Sequence, residues 1–145
     1  MKLTSPDFED EGMIPRGMTC DGGNVSPELN ITGVPEGAKS LALIMDDPDA
    51  PRGTFVHWLV WNMPSGTGRM ERGKEPPGAQ GTNDFGSKGY RGPCPPSGTH
   101  RYFFKLYALD EEPGLKEGSR KEAFEGAIEG HVIEKAELMG RYQRG

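Results

Sequence analysis

This 145-residue chain has no apolar run near the roughly 20 residues that a membrane-spanning helix requires. It has no basic block or stripe: 17 Lys and Arg stand against 22 Asp and Glu, for a net charge of −5. Nucleic acid and anionic membrane surfaces are therefore poor partners. Histidine is scarce, with three in the chain, and the two cysteines are too few for a disulfide framework. Cys20 and Cys94 both sit in Gly/Pro-rich loops and read most simply as reduced thiols, with a loop-pinning disulfide as the alternative. Met1 to Glu11 is polar and acidic and lacks the apolar segment of a secretory leader. A cytoplasmic protein is the expectation.

Apolar residues are also sparse, at 33%, while Gly 22 and Pro 13 are abundant. That balance approaches the composition of disordered chains. Here, however, the glycines and prolines fall between well-formed apolar runs, which makes them turns and long ordered loops. The length suits one domain, spanning residues 1–145.

Three runs read as strands. In Ser40 to Asp47, Leu41, Leu43, Met45 and Asp47 share one face, and Ala42, Ile44 and Asp46 share the other. In Thr54 to Met63, simple alternation puts Phe55, His57, Leu59 and Trp61 on one side and Val56, Trp58 and Val60 on the other. In Thr99 to Asp110, His100, Tyr102, Phe104, Leu106 and Ala108 alternate with Arg101, Phe103, Lys105 and Tyr107. Ser5–Phe8 and Gly12–Met18 are candidate short edge strands, and Leu29–Ile31 is a short alternating piece. Ser119 with Glu122 forms a capping-box pattern before an apolar helical stripe of Ala123, Phe124, Ala127 and Ile128, with Gly130 as the stop. A last strand is expected from about Ala136 to Tyr142. Pro64 to Gly98 carries no convincing helix or strand. A connection that long usually signals function or disorder, and Phe85 and Tyr90 within it point to packing. The fold expectation is mainly β, a sandwich with a short helix near the end.

The chemistry-bearing residues gather where stability alone would not put them. Asp46, Asp47 and Asp49 lie between prolines at the end of one apolar run, and His57 lies inside the next. Burying such groups is costly unless they are paired or used. If the three strands are neighbours, Asp47, His57 and His100 meet at one end of the sheet. Imidazoles beside carboxylates tend to hold protons, and a half-buried pocket of this kind suits a phosphate or carboxylate group. The bland alternative for His57 is a core histidine satisfied by Asp47 or Asp49. A metal site would use both histidines and one or two aspartates, but no zinc spacing is present. Hydrolysis by the Asp/His cluster is a further alternative, although no serine elbow occurs and no base stands beside Cys94. Trp58 and Trp61, facing opposite ways, read as core, and His131 as a surface residue.

Asp47-Pro48-Asp49-Ala50-Pro51, His57-Trp58, Asn62-Met63-Pro64 and Gly92-Pro93-Cys94-Pro95-Pro96-Ser97-Gly98-Thr99-His100-Arg101-Tyr102 together resemble the phosphatidylethanolamine-binding protein family. The likeness is to its shorter bacterial and archaeal branch, the YbhB/YbcL type, also called Raf-kinase-inhibitor-like proteins. Thr19-Cys20-Asp21-Gly22, Asn24-Val25-Ser26-Pro27 and Glu137-Leu138-Met139-Gly140 are similar to that branch too. The resemblance implies a sandwich of two antiparallel sheets with long ordered loops and a small anion pocket at one end. It implies that Asp47, His57, His100 and Tyr102 form the pocket, with Pro51 and Pro95 as walls and Asp49 in support. Arg101 falls on the opposite face and reads as structural. A cis bond before Pro51 is also expected from the resemblance. Animal members carry a C-terminal helix over the pocket. This chain ends at Gly145, so an open mouth with few lipid-tail contacts is expected. The implied function is non-enzymatic, regulatory binding of a phosphoethanolamine-like phosphoryl or carboxylate anion, with no cofactor and no metal. The alternatives are inhibition of a protease or kinase through surface loops, and the Asp/His hydrolase. The oligomeric state stays open, a homodimer included.

Overall fold

The computed structural model describes residues 1–144; the expectation tied to the chain ending at Gly145 lies outside them. Among the described residues, eight strands form two antiparallel sheets. Lys2–Thr4 (β1), Leu29–Thr32 (β2) and Arg69–Met70 (β5) make the smaller, in the order β1-β2-β5. Ser40–Asp47 (β3), Phe55–Met63 (β4), Ala79–Gln80 (β6), Thr99–Leu109 (β7) and Val132–Gln143 (β8) make the larger, in the order β6-β4-β3-β7-β8. The expected β-sandwich is present, and the three strong strands are neighbours with β3 at their centre.

β3 is buried from end to end, as an apolar pattern on both faces requires of a central strand. Leu41, Leu43 and Met45 face the sandwich interior, where Leu3, Leu29, Ile31 and Met70 of the smaller sheet pack with Phe104, Leu106 and Leu138. Ala42 and Ile44 face outward into a second cluster with Leu59, Trp61, Phe124 and Ile128. The helix Lys121–Ile128 (α1) covers that outer face. Phe124 is its anchor, and truncating a buried phenylalanine to alanine typically costs about 3–5 kcal/mol.

β4 departs from simple alternation, and the departure matters for the site. Asp46 pairs with Val56 and Met45 pairs with Trp58, so His57 is one residue more than the ladder accommodates. Such a bulge re-aims the side chains beyond it. Val56 packs with Leu59 and Trp61 on the outer face, while Trp58 and Val60 turn into the sandwich. The expected placement of His57 on the face of Leu59 and Trp61 is therefore corrected: its ring lies against Tyr102, on the interior side. A second irregularity follows at Asn62, whose φ of 57° is left-handed, and it returns Met63 to the interior.

Smaller corrections concern the chain ends. The first strand is Lys2–Thr4 rather than Ser5–Phe8, Arg16–Met18 is a 3-10 turn, and Met13 makes only an isolated bridge to Arg141. Ser119 does not cap α1: the cap position is Arg120, and the Ser119 hydroxyl donates to the Lys116 carbonyl. The last strand begins at Val132, because its whole length pairs with β7. Gly140 leaves room there for Ile14 and Phe8; a Cβ would come within 2.5 Å of the Ile14 side chain.

Candidate functional site

The ends of β3, β4 and β7 converge on a cavity of about 160 Å³. Asp47, His57, His100 and Tyr102 line it, and Pro51 and Pro95 stand in its wall. β3 ends at Asp47, β7 opens with His100, and the β4 bulge delivers His57. Asp46, one residue earlier on β3, faces the other way and pairs with Lys105 at 3.2 Å. Burial raises its carboxyl, with Lys105 opposing the shift.

The hydrogen bonds fix both imidazoles. His100 Nδ1–H donates to Asp47 Oδ2 at 2.7 Å. His57 Nδ1–H donates to the Arg91 carbonyl, also at 2.7 Å, so the bland alternative of a His57 satisfied by Asp47 or Asp49 does not hold: its partner is a backbone oxygen. A carbonyl can only accept, which places the proton on Nδ1 and leaves His57 Nε2 uncommitted. Burial pushes the His57 pKa below its ordinary value, with the Arg91 bond and the Asp47 charge opposing. The shift favours the neutral ring, contrary to the expectation that carboxylates nearby would keep it protonated. Tyr102 is fully buried, and its hydroxyl finds no partner among the described residues. Burial, with Asp47 adding to it, pushes the phenol's ionisation far upward, so it remains a neutral donor.

Asp49 stands outside the cavity wall and ties the site together from behind. Its N–H donates to Asp47 Oδ1 at 2.8 Å. Its carboxylate accepts from the Arg101 backbone N–H and Nε at 2.9 Å each and from Nη2 at 2.8 Å. Arg101 lies on the face opposite its neighbour His100, as alternation implies, and holds the Asp49 carboxyl down to about 2. Both Asp47 oxygens are therefore spoken for before any ligand arrives.

Among the described residues no peptide bond is cis, so the expected cis bond before Pro51 is not found. The turn is closed instead by the Gly53 N–H donating to the Ala50 carbonyl, with Gly53 at φ 105°. Cys20 and Cys94 are joined in a disulfide, which corrects their reading as free thiols. The two loops also meet through Cys20 N–H to the Pro93 carbonyl, Gly92 N–H to Asn24 and Tyr90 hydroxyl to the Met18 carbonyl. These bonds bring the sulfurs together, and Cys94 becomes part of the cavity wall. A Cβ on Gly92 would collide with the Met18 carbonyl, which explains a glycine there.

The phosphatidylethanolamine-binding protein family model matches residues 4–143. The chain belongs to that family. It is 52% identical to a UPF0098 protein of Methanothermobacter thermautotrophicus over the full length of both, and 46% identical to a UPF0098 protein of Pyrococcus abyssi, covering 99% of this chain and 86% of that one. The crystal structure of a phosphatidylethanolamine-binding protein homologue from Chlamydia trachomatis superposes with a TM-score of 0.96 at 41% identity, covering 99% and 97% of the two chains. E. coli YbcL, described as a new member of the mammalian family, superposes with a TM-score of 0.92 at 32% identity, covering 99% and 98%. The fold is that of the phosphatidylethanolamine-binding proteins.

Sequence reasoning missed part of this family member's wall. Phe55 and Phe85 pack edge-on at 4.8 Å, and each lies within 5.4 Å of the His57 ring. Arg91 stacks over Phe85 at 4.9 Å. Phe85 and Arg91 both sit in the long Pro64–Gly98 connection, where the one available signal was the presence of an aromatic among turn residues. Among the described residues, no three His, Cys, Asp or Glu side chains converge to hold a metal, and no helix is long and apolar enough to cross a membrane.

Proposed function

We propose that this protein binds a small phosphoryl or carboxylate group in the Asp47/His57/His100/Tyr102 cavity, without breaking a bond, and serves a regulatory role. One observation carries the reading. Both imidazoles spend Nδ1 on fixed acceptors, which leaves both Nε2 atoms for a ligand, beside a Tyr102 hydroxyl with no partner of its own. An oxyanion satisfies all three, and its charge supports the proton that each Nε2 needs in order to donate. The proline and phenylalanine walls keep water away and strengthen those bonds. Phosphoethanolamine, the headgroup of the lipid for which the family is named, is the natural probe.

Turnover is not part of this reading. Cys94, the one thiol in the wall, is consumed by its disulfide and cannot act as a nucleophile. Titrating phosphoethanolamine while following the His57 and His100 imidazole resonances tests the proposal. Both should move along one saturable curve; if neither responds, the pocket does not bind this group. Hydrolysis of phosphoesters that vanishes in His100→Ala would establish the hydrolase instead. Protease or kinase inhibition surviving a His57→Ala, His100→Ala double variant would move the activity to the surface loops.

We propose a cytoplasmic location. The disulfide pulls the other way, since most such bonds belong to oxidising compartments. A thiol count on protein from acid-quenched cells decides the point: two free thiols support the cytoplasm, and none supports an oxidising compartment.

A further inference from the structure

A second cavity, of about 300 Å³, shares no wall residue with the first. The β4 bulge serves both: His57 lines one and the next residue, Trp58, lines the other. Gln80 stands in the wall of this second cavity, 9% exposed. Its Oε1 accepts the Trp58 indole N–H at 2.8 Å. An indole nitrogen can only donate, so the amide orientation is settled by chemistry: oxygen towards Trp58, NH2 left over. That Nε2 donates to no group among the described residues, and it is not sealed from solvent.

Asn24 repeats the arrangement in the same wall. Its Oδ1 accepts the Gly92 N–H at 2.7 Å, which again leaves the NH2 end free. Lys74 and Lys88 stand at the rim. Lys88 keeps only a loose surface pairing with Glu117 at 3.5 Å, and Glu75 is the one carboxylate in the lining. Two oriented amide donors and two ammonium groups face one carboxylate. A site rich in donors and poor in acceptors selects an oxyanion.

We propose that this cavity is a second anion site, independent of the His57/His100 pocket, which takes a phosphoryl dianion on the Gln80 and Asn24 NH2 groups between Lys74 and Lys88. Two ammonium groups and two amide donors outnumber the single Glu75 carboxylate in the lining, so phosphate, with more charge and more acceptor oxygens, is favoured over a monoanionic carboxylate.

The test is a titration of inorganic phosphate into the full chain at pH 8, following the Gln80 and Asn24 side-chain NH2 signals and the Trp58 indole N–H. These three should shift together along one saturable curve, and acetate at matched ionic strength should move them far less. Gln80→Glu keeps the acceptor for Trp58 and replaces the free donor with a carboxylate oxygen. It should weaken phosphate at this site by about tenfold or more, read on Asn24 and Trp58. Lys74→Gln with Lys88→Gln changes only exposed side chains and should weaken it by roughly tenfold as well. The His57 and His100 imidazole signals should respond to phosphate unchanged in both variants, which separates this site from the first. Three results would overturn the proposal: amide signals that stay still in phosphate, an acetate curve equal to the phosphate curve, or unaltered binding in the lysine double variant.

Discussion

His100 Nδ1 lies 2.7 Å from Asp47 Oδ2, with both side chains almost wholly inside the protein. The bond joins the end of β3 to the start of β7 and aims the His100 Nε2 at the cavity. Asp47→Ala would leave the His100 Nδ1–H buried without an acceptor, at a cost of about 1–3 kcal/mol. Urea unfolding should show that loss. Asp47→Asn keeps one acceptor and so should lose less stability, yet its NH2 cannot accept, so one of the two bonds that Asp47 makes, from the Asp49 N–H and from His100 Nδ1–H, is lost and the aim of the His100 Nε2 loosens. Phosphoethanolamine binding by Asp47→Asn should therefore fall by roughly tenfold or more. Calorimetric titration showing unchanged affinity would mean that His100 does not work through Asp47.

His57 gives the site a pH dependence of known sign. Burial holds its pKa below the ordinary 6.5. The unfolded chain takes up a proton near 6.5, whereas the folded chain does so only at lower pH. This contribution to stability is present above 6.5 and is lost as the pH falls below it. An oxyanion on Nε2 reverses the preference by pairing with the protonated ring. Sulfate does not titrate in this range, so it isolates the effect. Thermal melts should show a larger stabilisation by sulfate at pH 5.5 than at pH 8, and His57→Gln should flatten the difference. Equal stabilisation at both pH values would remove His57 from the binding step.

How much of this could be read from residues alone depends on what each inference needed. Leu41, Leu43, Met45 and Asp47 keep strict alternation, and β3 has the faces and the limits expected of it. His100, Tyr102 and Phe104 likewise fall on the interior side. His57 reached the right pocket for an incomplete reason. Alternation assumes one residue per ladder step, and the bulge at His57 carries no glycine or proline to announce it. Phe85 was invisible as wall because a loop has no period from which to read a face. The Cys20–Cys94 bond is not legible from loop composition or compartment, because it depends on how the two loops align. The bonds that align the two loops join residues some 70 positions apart, such as Gly92 with Asn24 and Tyr90 with Met18. Ser119 has the right residue type for a cap, but its hydroxyl is taken by Lys116 and the helix starts later.

Asp49 supplies a separate test at acid pH. The Arg101 guanidinium and backbone N–H hold its carboxyl at about 2, below the ordinary 3.8. A lowered carboxyl stabilises the fold above the unfolded value, and that stabilisation drains away as pH falls from about 3.8 towards 2. Asp49→Asn should therefore melt earlier than the parent at pH 6, with the gap closing as pH approaches 2. The same substitution should also weaken phosphoethanolamine binding at neutral pH, because it loosens the loop whose N–H holds Asp47. A melting gap that persists undiminished at pH 2 would show that the Arg101 pair is not its source.

The disulfide should affect both stability and the pocket. Cys20 and Cys94 are separated by 74 positions, and closing a loop of that size in the unfolded chain is worth roughly 4 kcal/mol in the chain-entropy account. Reduction with a dithiol should lower the melting temperature accordingly, and Cys20→Ser should reproduce the shift without reductant. The fold should survive, because the Cys20–Pro93, Asn24–Gly92 and Met18–Tyr90 hydrogen bonds still join the two loops. The cavity wall is a different matter. Cys94 lies between Pro93 and Pro95, neither of which has an N–H to anchor it, so the covalent bond is the strongest restraint on that stretch of wall. Phosphoethanolamine affinity should thus drop on reduction while the far-ultraviolet circular dichroism stays unchanged. If affinity is equal in oxidised and reduced protein, the hydrogen bonds alone hold the wall in place and the disulfide contributes to stability only.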